Sequence, residues 1–195
     1  MRKRAFEPNE VVEKAMQLFR RSGYQATSMD DLVNRTGVSR YGIYTVFGGK
    51  KGLFLASLDA YRDGYMTDLM RGLEKQGASL EEINGFFRGF GSLAGTDEGK
   101  LSCLMCLTAN QITGMDSEID EKVEAHTKRL MRAFDKALKN AKKSQKIPKS
   151  IDVPSMSNYL IGLSYGLASL LRADSALNVI EPYLTVGLSV LEEQH

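Results

Sequence analysis

The spacing of apolar residues predicts an all-α fold of about nine helices. Three observations lead there. Apolar residues recur three and four positions apart along almost the whole chain, no segment sustains strict apolar–polar alternation between hairpin turns, and the breaks in the pattern fall at Gly, Pro and capping residues.

The first helix follows Pro8, with Asn9 as N-cap, and stacks Val11, Ala15 and Phe19 beside Val12 and Met16 until Gly23 ends it. Thr27 and Ser28 offer caps for a short second helix, whose first turn carries Asp30 and Asp31 where the helix dipole favours acid, and whose inner face is Met29, Leu32 and Val33. Gly37 closes it, Val38 fills the turn, and Ser39 caps a third helix running to about Phe47. Two short helices joined by a tight Gly-containing turn form the pattern of a helix-turn-helix. From Lys50 a longer helix carries Phe54, Leu58, Tyr61, Tyr65 and Leu69 toward an end near Gly77. Ser79 and Glu82 form a capping-box pattern ahead of Ile83, Phe86, Phe87 and Phe90, and Gly91 and Gly95 weaken the end of that helix. Another helix covers 101–112. After Gly114 the longest one places Ile119, Val123, His126, Leu130, Phe134, Ala137 and Ala141 on one face. The polar run 142–152 reads as a loop, and two last helices cover 154–172 and 176–193. Pro182 either kinks the second of these or marks its true first turn.

Composition narrows the class. With 43% hydrophobic and 26% charged residues, the 195-residue chain is neither disordered nor fibrous. Cys103 and Cys106 lie too close together to close a useful loop, which points to thiols in a reducing cytoplasm. The basic start, Met1 to Phe6, lacks the apolar run of a secretory signal. The longest uncharged stretch, 153–171, holds Pro154, Asn158 and four serines, which suits a buried helix and not a membrane span. Net charge of +2 conceals an asymmetry: residues 1–51 carry ten Lys/Arg against five Asp/Glu, while 52–195 carry sixteen against nineteen. Phosphate neutralisation therefore belongs to the first segment.

The segment from Gly23 to Phe54 is the most informative. Gly23-Tyr24, Thr27, Gly37-Val38-Ser39, Ile43-Tyr44 and Phe47-x-x-Lys50-x-x-Leu53 occur in the order and spacing of the DNA-binding domain of the TetR family of bacterial regulators, which this chain resembles. The resemblance extends more loosely to length and helix order. It implies a DNA-binding module in 1–50 and a helical ligand-binding and dimerisation domain in 51–195.

A third helix enters the major groove, roughly 12 Å wide, only if its inner side is anchored by apolar residues and its outer side is polar or small. Val38, Ile43 and Phe47 can anchor it, leaving Arg40, Tyr41, Gly42 and Thr45 outward, with Ser39 at its start. Arg40 is the candidate for a bidentate contact to guanine, or else for a phosphate. Gly42 either permits close backbone approach or is a tolerated imperfection. The resemblance implies phosphate contacts from Tyr44 and Lys50 and a capping role for Thr27, with Ser28 beside it. From the residues alone, Tyr44 can equally be core and Lys50 solvated surface. Val46 stands where the family often has an aromatic or His residue. Arg2, Lys3 and Arg4 form either a DNA-contacting arm or a solvated terminus.

A homodimer is expected through the last two helices, with Leu160, Leu163, Gly166, Leu167, Leu184, Leu188 and Leu191 on the shared face, since two modules related by a twofold axis read a palindrome. Met66, Met70, Phe86, Phe87, Phe90, Met105 and Tyr165 are candidates to line an apolar effector cavity, and His126 is either a polar contact within it or a satisfied core histidine. The expected partners are double-stranded DNA, a small-molecule effector and a second copy of the chain, with no membrane. No nucleophile elbow, P-loop or His/Cys metal cluster is present in the sequence, so no enzyme activity, cofactor or metal is expected. Two other readings stay open: a thiol-based redox regulator using Cys103 and Cys106, and a helical interaction protein without DNA binding.

Overall fold

The computed structural model describes residues 6–101, 103–112, 114 and 116–192. Among them are eleven helices and no strand: α1 (Pro8–Ala26), α2 (Met29–Thr36), α3 (Arg40–Phe47), α4 (Lys50–Asp63), α5 (Tyr65–Glu74), α6 (Leu80–Gly91), α7 (Asp97–Leu101), α8 (Leu104–Ile112), α9 (Ser117–Lys143), α10 (Val153–Arg172) and α11 (Leu177–Ser189). The excess over nine has two local causes. Gly64 at φ −97°, ψ −93° interrupts the fourth expected helix, separating α4 from α5. A short α7 also forms after Thr96, whose hydroxyl accepts the Gly99 N–H at 3.0 Å. Pro182 lies inside α11, not at its start. The expected 142–152 loop starts later, because α9 runs to Lys143, and it is less polar in effect than in composition because Ile147 is buried.

The chain divides into two compact units, residues 1–66 with 103–124, and 67–102 with 125–195. Compactness therefore does not cut the chain at residue 50. In the first unit Val11, Ala15 and Phe19 of α1, Leu32 of α2, Ile43 of α3 and Leu53, Phe54 and Leu58 of α4 form one core, with the Phe19 and Phe54 rings edge to face at 4.8 Å. α8 packs against α1 in the same unit. Gly52 makes the joint between α3 and α4 possible, since a Cβ there would sit 1.7 Å from the Phe47 carbonyl oxygen. Lys51 ties the start of α4 to Asp116 (2.8 Å) and Glu118 (2.5 Å) at the head of α9.

In the second unit Phe86 and Phe87 of α6 pack on Phe134 of α9, edge-on at 5.5 Å and stacked at 5.8 Å respectively. Arg129 holds both carboxylate oxygens of Glu74 at 2.7 Å, a bidentate pair. α10 and α11 are fastened by two tyrosines, Tyr183 donating to the Leu163 carbonyl at 3.0 Å and Tyr159 to the Gly187 carbonyl at 2.8 Å. Among the described residues no helix is long and apolar enough to cross a membrane.

Candidate nucleic-acid interface

The helix-turn-helix is fixed by local hydrogen bonds before any packing is counted. Ser28 caps α2: its hydroxyl oxygen accepts the Asp31 N–H at 3.1 Å while the Asp31 carboxylate accepts the Ser28 N–H at 2.8 Å. The Ser28 hydroxyl, donating to that carboxylate, and then the Ser28 N–H hold the Asp31 carboxyl below the usual carboxylate range. Gly37 ends α2 in the left-handed region at φ 75°, and the Thr36 hydroxyl donates to the Leu32 carbonyl at 2.6 Å while accepting the Val38 N–H at 3.2 Å, so the turn has little freedom. Ser39 caps α3 through the Gly42 N–H, and Gly48 closes it at φ 77°.

On that frame α3 has one sealed side and one open side. Val38 and Ile43 are buried, whereas Tyr41 is 80% and Tyr44 54% exposed, and Arg40 and Thr45 are exposed beside them. Large aromatic side chains standing in water on a well-capped helix point to a surface built for contact. Tyr44 is thus not core. Arg40 reaches Asp30 of α2 at 2.7 Å, with both side chains open to solvent. Lys50 is not merely solvated: its ammonium lies 4.4 Å from the Tyr24 ring centre and 3.5 Å from the Gln25 carbonyl oxygen. Partial burial lowers its pKa, with the Asp31 charge opposing. This seat holds the Lys50 ammonium close to the start of α2.

Several expected residues stand differently. Thr27 is buried and its hydroxyl donates to the Gly23 carbonyl at 2.7 Å, so it neither caps α2 nor presents to DNA. Ser28 is exposed, but its hydroxyl also donates to Asp31 at 2.6 Å. Gly42 is small for an internal reason, because a Cβ would meet Val38 Cγ1 at 2.7 Å and Phe6 Cε1 at 3.3 Å. Thr45 bonds the Tyr41 carbonyl at 2.8 Å. Arg2, Lys3 and Arg4 lie outside the described residues.

The leucine stripe is also corrected. Leu160, Leu163, Leu167, Leu184 and Leu191 are buried within the protomer, where they join α10 and α11 to their own unit, and Gly166 makes room for Tyr183 of the same chain. Leu188 instead borders a groove with Arg88 and Glu192. The outward apolar face belongs to other residues: Tyr159, Leu177, Val179, Val186 and Val190 are exposed. A shallow apolar groove of about 670 Å³, lined by Tyr159, Gly162, Val179, Pro182, Tyr183 and Val186 among others, runs between the two helices.

Of the expected effector residues, Met66 and Met105 fall in the first unit and the rest in the second. Phe86, Phe87 and Phe90 adjoin one another and form core with Phe134. Met70 is likewise buried, and Tyr165 shares a 3.1 Å hydrogen bond with Thr127. His126 is buried, yet its Nδ1 has no hydrogen-bond partner, so it is not a satisfied core histidine.

Residues 11–57, the helix-turn-helix with the start of α4, match the family model described as bacterial regulatory proteins, tetR family. That segment is a TetR-family DNA-binding domain. The chain is accordingly a DNA-binding transcriptional regulator and not an enzyme. It is 27% identical over 193 residues to the uncharacterised helix-turn-helix regulator YezE of Bacillus subtilis (strain 168), covering 98% of this chain and 99% of YezE. It is 25% identical over 177 residues to the transcriptional repressor ComR of Escherichia coli (strain K12), covering 90% and 84%. The fold is that of the TetR-family regulator CifR, solved as a cysteine mutant on 26-base-pair double-strand operator DNA, with TM-score 0.86, 19% identity, and coverage of 98% of this chain and 100% of CifR.

Proposed function

We propose that this chain is a repressor that binds a palindromic operator as a homodimer and is released by a small, largely apolar effector. The single observation that carries the DNA half is the open side of α3, where Arg40, Tyr41 and Tyr44 project from a helix whose other side is sealed. Residues 1–50 supply the DNA contacts and 51–195 the sensing and pairing. The second copy covers the outward groove of α10 and α11, since an apolar face of this kind is otherwise left in water. His126 gives the effector its polar requirement: one donor or acceptor for the unpartnered Nδ1, within an otherwise apolar setting. The protein acts in the cytoplasm. A differential affinity of about 1–3 kcal/mol between free and effector-bound forms changes operator occupancy roughly 5- to 150-fold, which suffices for a switch.

Selection from a random duplex pool with the full chain tests this reading. It should enrich a twofold-symmetric sequence with half-sites about one helical turn or a multiple apart, bound by an even number of chains, and that sequence placed at a promoter should lower reporter transcription. No enrichment would leave a helical interaction protein without DNA binding.

A further inference from the structure

The sequence Cys103-Leu104-Met105-Cys106 is not used by the DNA-binding reading, and its place in the fold gives it a chemistry of its own. Cys103 immediately precedes α8, and its carbonyl accepts the Leu107 N–H at 3.0 Å, the first bond of that helix. Its Sγ accepts the Cys106 N–H at 3.5 Å, so the thiol occupies the position of a side-chain N-cap. Negative charge on that sulfur is favoured by the amide and by the positive end of the nine-residue helix. Both sulfurs are present as thiols and both residues are buried. A hydrogen bond with Cys103, then burial, push the Cys106 thiol well up. The two thiols are therefore unequal.

The surroundings reinforce the inequality. The Tyr61 hydroxyl is buried, has no hydrogen-bond partner within ordinary distance, and neighbours the Cys103 thiol; burial first and that thiol second raise the phenol well above its usual value. The Arg20 guanidinium, 1% exposed, lies 5.3 Å from the Tyr61 ring centre and 4.8 Å from that of Tyr65. A buried cation from α1, the first helix of the DNA-binding module, thus sits beside the phenol that faces Cys103. α8 also touches the module directly: its Gln111 side chain lies against Gly23, where a Cβ would come within 2.2 Å of Gln111 Oε1. The carbonyl of Gly23 receives the Thr27 hydroxyl just before α2 begins.

We infer that Cys103 and Cys106 form a dithiol–disulfide switch acting on the DNA-binding unit, with Cys103 the thiol oxidised first and Cys106 the resolving thiol. The oxidant class is a hydroperoxide. Cys103 sulfur attacks a peroxide oxygen, an S–O bond forms and the O–O bond breaks, and the thiol proton leaves with the departing oxygen as an alcohol, or as water from hydrogen peroxide. Cys106 sulfur then attacks the Cys103 sulfenic acid. The S–S bond forms, the S–O bond breaks, and hydroxide leaves with the Cys106 proton as water. Two thiols are oxidised and one peroxide is reduced. A disulfide brings its two Cβ atoms to roughly 3.5–4.5 Å. Closing it draws Cys103, just ahead of α8, onto Cys106 in the first turn, and so strains a helix that packs on α1 and whose Gln111 lies against Gly23, ahead of α2.

This inference rests on the DNA-binding reading only for its output, and the experiment separates the two. The reduced full chain is treated with hydrogen peroxide and followed by whole-protein mass and thiol alkylation, which need no DNA. The expected result is loss of two hydrogen atoms in mass and of both alkylatable thiols within a monomeric chain, reversed by dithiothreitol. Cys106→Ser should accumulate a sulfenic acid at Cys103 that dimedone labels, and Cys103→Ser should leave Cys106 unlabelled. Two alkylatable thiols after excess peroxide, or labelling only at Cys106, overturns the assignment. On a duplex selected from the random pool, oxidation should weaken binding at least tenfold, and each single Ser variant should bind normally and ignore peroxide. Unchanged affinity with the disulfide formed would overturn the coupling while leaving the thiol chemistry intact.

Discussion

Arg40 and Asp30 meet across the turn of the helix-turn-helix with 57% and 77% of their side chains exposed. A pair this open contributes about 0–1 kcal/mol, so a duplex can take the guanidinium from its carboxylate at little cost. Asp30 is then a competitor of phosphate and base. Asp30→Ala should raise affinity for a random-sequence duplex about two- to fivefold at low salt, an advantage that shrinks as salt is added. Fluorescence anisotropy across a salt series reads this directly, and equal or weaker binding would mean that Asp30 positions Arg40. At this scale the sequence shows which residues cluster near the interface but not which way each one turns. Thr27 and Ser28 both look like caps. Only the fold shows that the Thr27 hydroxyl goes back to the Gly23 carbonyl while Ser28 takes the Asp31 amide. Lys50 could be read only as a phosphate contact by resemblance or as surface, and its seat over Tyr24 depends on a contact twenty-six positions back in the chain.

The elements were largely legible, because capping and apolar periodicity are local. The capping box at Ser28, the Glu82 carboxylate on the Ser79 N–H, the left-handed glycines at 37 and 48, and the inner faces of α1 to α4 all follow from neighbouring residues. What periodicity does not reveal is how closely two elements meet. Gly52 passes for an ordinary helix residue in sequence, yet it is where the carbonyl end of α3 presses on α4. Gly52→Ala should destabilise the protein by about 1–3 kcal/mol, the usual range for overpacking, even though Ala is the better helix former. Urea unfolding measures it. A rise in stability would show that helix propensity, not close approach, governs the site. The break at Gly64 is hidden in the sequence for a related reason: Tyr61 and Tyr65 keep helical spacing across it, so the apolar pattern runs on where the backbone does not.

At the scale of the whole molecule, the sequence marks the leucine side of the last two helices as a shared face, and that side is buried within the protomer. Leucines at helical spacing mark whatever face is most apolar, and here that face is spent on the protomer's own core. The smaller Val179, Val186 and Val190 with Tyr159 are left outside. Val186, 70% exposed, therefore provides a clean test of assembly. Val186→Glu should leave the protomer's unfolding midpoint within error and shift the chain from dimer to monomer in sedimentation, because two like charges meet across a twofold axis. A dimer that persists would move the pairing surface elsewhere.

The DNA-binding proposal requires the outward side of α3 to read base sequence. It is tested most directly by repeating the duplex selection with Arg40→Ala beside the parent chain and comparing the enriched motifs. A base preference should be relaxed at symmetric positions of the two half-sites, with specific affinity falling about 5- to 150-fold, the equivalent of 1–3 kcal/mol for one lost bidentate contact. An unchanged motif bound with unchanged affinity would contradict it.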